Sequence, residues 1–72
     1  MSQLQAIIFK KDDWNIRNIH KFLERNMLYP IKSIHTTLNF YRVRLQVPNK
    51  KYKYRMITIS AYPEIKGVIF WK

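Results

Sequence analysis

Arg42 and Arg44 stand two positions apart beside Phe40 and Tyr41, and Lys50, Lys51, Lys53 and Arg55 follow with Tyr52 and Tyr54 set among them. Residues of these types do two kinds of chemistry. Guanidinium and ammonium groups hold phosphate and carboxylate oxygens by charge-assisted hydrogen bonds, and aromatic rings stack on bases or carry guanidinium planes. From Arg25 through Pro63 the chain has no Asp or Glu, so this stretch presents one sign of charge. Clustered cations attract polyanions by counterion release and long-range steering, which makes nucleic acid, DNA or RNA, the first partner to consider. The competing reading is that strand arginines are ordinary solubilising groups and that lysines at a turn guard against edge-to-edge pairing. A surface made only for solubility usually mixes both signs, and that favours binding.

Other chemistries have little material. The chain has no cysteine, its two histidines, His20 and His35, lie far apart in sequence, and its acids are Asp12, Asp13, Glu24 and Glu64. A zinc site needs three or four ligands, and a two-carboxylate acid/base pair needs facing acids, so neither a metal nor a catalytic centre is expected. One glycine excludes a glycine-rich phosphate loop. Asp12 and Asp13 read as helix-capping residues. The expectation is a binding module without a cofactor, and no enzyme.

The elements that must position the cations follow from periodicity. Leu4 to Lys10 reads as a strand, and Lys11-Asp12-Asp13 ends it. From Trp14, the apolar Ile16, Ile19, Leu23 and Met27 recur at helical spacing, with Asp12 or Asp13 as N-cap, Asn26 as the left-handed terminating residue and Pro30 as a stop. The helix should run about 14 residues, to near Leu28. Ile31 to Thr37 suits an edge strand. Leu38 to Val47 alternates, with Tyr41, Val43 and Leu45 on one face and Phe40, Arg42 and Arg44 on the other, the arginines about 7 Å apart. Pro48 to Lys51 is a turn signal, and Tyr52 to Ser60 resumes with Ile57 and Ile59 opposite Tyr54, Met56 and Thr58, so the two strands read as a β-hairpin with a lysine-rich tip. Tyr62-Pro63-Glu64 turns into a last strand, Ile65 to Trp71. The fold class is α+β: residues 1–72 form a single two-layer domain, one amphipathic helix packed on a mainly antiparallel sheet of about four to five strands, in the order β-α-β-β-β-β.

A chain of 72 residues with 47% hydrophobic content and a net charge of +10 is one globular domain with one core. It has no disulfide to supplement that core, and its many aromatic residues exceed what so short a chain encloses, so a homodimer is expected, with Phe70 and Trp71 of the last strand at the interface. No apolar run approaches the roughly 20 residues that span a bilayer, and no secretory segment follows Met1, so a soluble, intracellular protein is expected, with no membrane partner.

Several segments resemble a small uncharacterised basic domain found in large double-stranded DNA viruses and phages. They are Gln5-Ala6-Ile7-Ile8-Phe9, Lys11-Asp12-Asp13-Trp14, Phe22-Leu23, Asn39-Phe40-Tyr41-Arg42-Val43-Arg44, Arg55-Met56-Ile57-Thr58-Ile59 and Ile65-Lys66-Gly67-Val68-Ile69. The likeness covers nearly the whole chain in pattern and order, and departs at Phe70-Trp71-Lys72, where the family pattern finishes near a glycine. It implies a viral setting, in the infected host cell or the virion, and supplies no activity; Asn39, Arg42 and Arg55 are the positions it marks. The expected function is therefore that of a small viral nucleic-acid-binding protein using Phe40, Arg42, Arg44, Lys50, Lys51, Lys53, Tyr54 and Arg55. The alternative is a structural or assembly protein of the virion that acts through contacts with itself or another virion protein.

Overall fold

The computed structural model describes residues 2–72. Its most buried strand, β1 (Gln3–Lys10), sits at the centre of a five-stranded antiparallel sheet. One helix, α1 (Ile16–Arg25), and four further strands complete the fold: β2 (His35–Thr36), β3 (Phe40–Arg44), β4 (Lys53–Ser60) and β5 (Ile65–Trp71). The sheet order is β2-β3-β1-β5-β4, so the domain is α+β with the expected element order.

One face of the sheet carries the core. Ile7, Phe9, Val43 and Ile65 meet Ile19 and Leu23 of α1, and all six are buried. Phe9, Trp14 and Phe22 form an edge-to-face triad with ring centroids 5.0 to 5.7 Å apart. Gln5 occupies the bulge in β1 between Leu4 and Ala6, and its buried amide donates to the Gln46 carbonyl at 2.8 Å. The bulge thereby ties the start of β1 to the chain leaving β3. Gly67 faces the same side, where a Cβ would come within 2.8 Å of Ile59 Cδ1 and 2.9 Å of Leu4 Cδ1. Those two side chains close over β5.

Three expectations are corrected. First, β3 and β4 do not form a hairpin, because β1 and β5 lie between them. Residues 45–52 are longer than the two to five residues typical of a tight hairpin turn, and they cross the end of the sheet instead. β1, the most buried strand, takes the middle position. Second, α1 is shorter than its apolar periodicity. Asn15, not Asp12 or Asp13, is the N-cap, its side chain accepting from the Asn18 amide at 2.8 Å, while Asp13 Oδ2 accepts from the Glu64 amide at 3.1 Å. Trp14 precedes the cap and still faces the core, so the period records which residues point inward beyond the helix itself. Third, the edge strand expected over residues 31–37 is reduced to the two residues of β2. Ile31 donates its amide to the Arg44 carbonyl, but the chain between is a bend.

The left-handed residue that terminates the helix is Met27, while Asn26 is its C-cap. Met27 has φ 53°, its amide donates to the Glu24 carbonyl, and the Leu28 amide donates to the Leu23 carbonyl, which is the paired bonding of a left-handed C-terminal cap. A non-glycine residue in that region is disfavoured by its Cβ. Met27 is 74% exposed, so its side chain contributes little packing. Met27→Gly should raise the free energy of unfolding by about 0.5–1 kcal/mol, with the urea midpoint rising and the slope unchanged.

Candidate nucleic-acid interface

The sheet face away from α1 has no helix over it. Strand alternation and register assign its residues: His35 on β2; Phe40, Arg42 and Arg44 on β3; Ala6, Ile8 and Lys10 on β1; Lys66, Val68 and Phe70 on β5; Tyr54, Met56 and Thr58 on β4. Two rows cross the sheet. Arg42, Ile8, Lys66 and Thr58 are in register, and so are Arg44, Ala6, Val68 and Met56. An apolar strip of Ala6, Ile8 and Val68 thus runs between cations on both sides. No strand contains an acidic residue, since all four acids lie in turns or on α1. This face therefore carries Lys10, Arg42, Arg44 and Lys66 with no opposite charge set among them.

The residues expected at the site are divided by the fold. Phe40, Arg42 and Arg44 share the open face, and Tyr54 does too, but Phe40 and Tyr54 occupy opposite corners, at least three strand spacings or roughly 14 Å apart. They make no joint stacking platform. Lys53 and Arg55 alternate with Tyr54 on β4 and so point to the other side, with Ile57. A strand cannot present Tyr54 and Arg55 on one face, because successive side chains oppose each other. Arg55 is nevertheless exposed, since β4 lies at the sheet edge beyond the core. Lys50 and Lys51 lie in the crossing loop.

Tyr54 has a structural task as well. Its hydroxyl donates to the Asn49 carbonyl at 2.8 Å and accepts from the Asn49 amide, which pins the loop that carries Lys50 and Lys51. Its ring lies 6.1 Å from that of Phe70, and Tyr52 stacks on Phe70 at 5.2 Å. Phe70 is consequently only 8% exposed, covered within its own chain. Trp71 is half-buried, and β5 is paired on both edges, so the last strand is interior and does not form the free margin expected for an interface.

Lys10 and Lys66 lie outside the acid-free stretch, which ends at Glu64, and only strand parity identifies them. A concavity of ≈ 290 Å³ at the β2–β3 side adds Lys32, Ser33 and His35 to Arg42 and Arg44. The Arg42 Nε is shielded from solvent and has no hydrogen-bond partner among the described residues. Within those residues no cluster of His, Cys, Asp and Glu suits a metal ion, and no helix is long and apolar enough to cross a membrane.

Comparison of the chain with protein-family models, with curated proteins and with solved structures gave no match. The placement of side chains on the sheet is thus the ground for assigning a function. Tyr54→Phe should accelerate hydrogen exchange at the Asn49 and Lys51 amides, leave the β1 amides protected, and cost about 1 kcal/mol of stability. Two-dimensional NMR exchange rates check this.

Proposed function

We propose that this protein is a non-enzymatic module that binds single-stranded nucleic acid without strong sequence preference across the open face of its sheet. The observation that carries the reading is the placement of Lys10, Arg42, Arg44 and Lys66 on one face, around Ala6, Ile8 and Val68, with no acid on any strand. Phosphates would take the cations, and bases would lie on the partly exposed Ile8 and Val68 and on Phe40, which is 37% exposed. A sheet face offers no helix or ribbon to enter a duplex groove, and this supports a single strand over a double one. Lys50 and Lys51 extend the positive field at one end. The resemblance to the virus and phage domain supports a setting near a viral genome, in the infected cell or the virion.

A second reading is favoured by one observation. β4 is an eight-residue edge strand with Met56 and Ile59 exposed at 55% and 43%, which suits pairing with a second copy or another virion protein. A sedimentation-equilibrium monomer at high micromolar concentration counts against the self-pairing form.

Fluorescence anisotropy with labelled oligonucleotides tests the first reading. Neutralising about four phosphates gives a slope of log affinity against log salt of about −3 on single strands. Arg42→Glu with Arg44→Glu should weaken binding to all sequences alike, and Arg55→Glu, on the other face, should do so much less. Absence of binding at about 50–100 mM salt, or equal effects from the two faces, would sink the proposal.

A further inference from the structure

The concavity beside β3 differs from the rest of the open face in being built from two directions. Arg42 and Arg44 come from β3, and His35 stands directly across from Arg42 on β2. Lys32 and Ser33 come from the bend before β2. That bend is held at both ends: the Ile31 amide donates to the Arg44 carbonyl at 3.0 Å, and the Ile34 side chain packs against the core. Lys32 and Ser33 are therefore fixed over the edge of the sheet without a bond of their own to the core. Every residue lining the concavity is a cation, an imidazole or a hydroxyl, and none is acidic.

We propose that this concavity anchors the terminal phosphate monoester of a nucleic-acid strand, an inference that rests on the open face being the strand-binding surface. Charge selects the monoester. An internal phosphodiester carries one negative charge, which two arginines already match, whereas a terminal phosphate carries about −1.5 to −2 and offers three strong acceptor oxygens. The cleft supplies the additional donors that such a group takes: the Lys32 ammonium, the Ser33 hydroxyl and the His35 imidazole. Arg42 and Arg44 both line this place, and guanidinium groups bind phosphate through adjacent N–H bonds. Size agrees. A volume of ≈ 290 Å³ lies at the lower end of small-molecule sites, enough for a phosphate with its sugar and water but not for an enclosed nucleotide with a partner base. Position agrees as well, because the cleft lies at the margin of the sheet, beyond which only the two-residue β2 remains. A strand anchored there has one direction to run, across β1 and β5, with Phe40 two positions from Arg42 available to its first base.

The test compares one oligonucleotide sequence with a 5′-phosphate, with a 3′-phosphate and with neither, on the wild type and on Lys32→Ala with His35→Ala. Both substituted residues are exposed, so the variant should fold, and its circular dichroism checks this. One end-phosphorylated strand should bind about tenfold tighter than the unphosphorylated strand, and in the double variant the ratio of the two affinities should fall to about one. Equal affinity for all three strands overturns the anchor and leaves the open-face reading intact. Failure of every strand to bind removes both. A phosphoserine peptide of the same net charge is the control: if it binds as tightly as the phosphorylated strand and is lost in the same variant, the cleft serves phosphoproteins and the strand-end proposal is overturned.

Discussion

β1 has both hydrogen-bonding edges occupied, by β3 and β5, and Ala6, Ile7 and Phe9 along it have no solvent exposure. That double burial is the constraint from which the other placements follow. A central strand buries side chains on both faces, and β1 does so with Ala6 on one face and Ile7 and Phe9 on the other. Once it holds the centre, the strand before the crossing loop and the strand after it fall on opposite sides. α1 then covers the half of the sheet around β1, β3 and the start of β5, where Ile7, Phe9, Val43 and Ile65 converge on Ile19 and Leu23.

The helix is too short to cover the rest. Asn15 caps its start and the left-handed Met27 follows its C-cap, Asn26, and Trp14 and Leu28 reach the core from outside the helix. β4 therefore keeps exposed side chains on both faces, and Leu4 and Ile59 fill the space that Gly67 leaves over β5. This asymmetry gives one face with a closed apolar core and another whose cover is only side-chain deep. Ala6 stays sealed on the second face with Arg44 and Val68 as its registered neighbours.

Electrostatics acts on the same asymmetry. A net charge of +10 on 72 residues repels itself, and confining all four acids to turns and to α1 leaves the sheet without internal compensation. Asp13 uses its carboxylate on the Glu64 amide, joining two turns at one end of the sheet. The open face thus combines cations that have no acid on any strand beside them with the partly exposed side chains of Ile8 and Val68.

Much of this was legible in the residues. The alternation of Tyr41, Val43 and Leu45 against Phe40, Arg42 and Arg44, the turn at Tyr62 to Glu64 and the single amphipathic helix are local properties of the backbone, set by the two-residue and 3.6-residue periods. So is the sign of the charge. Strand order is not local. Whether Tyr52 to Ser60 pairs with Phe40 to Arg44 or lies across the sheet from it depends on which strand wins the doubly buried centre, a competition among segments distant in sequence. The tertiary structure alone decided that Lys10 and Lys66 join Arg42 and Arg44, that Lys53 and Arg55 leave them, and that Lys32, Ser33 and His35 close a cleft beside them. The sequence by itself determined which side chains alternate and what charge they bear; only packing of the whole sheet decided which of them share a face, because register and neighbour are set by burial across strands and not along one.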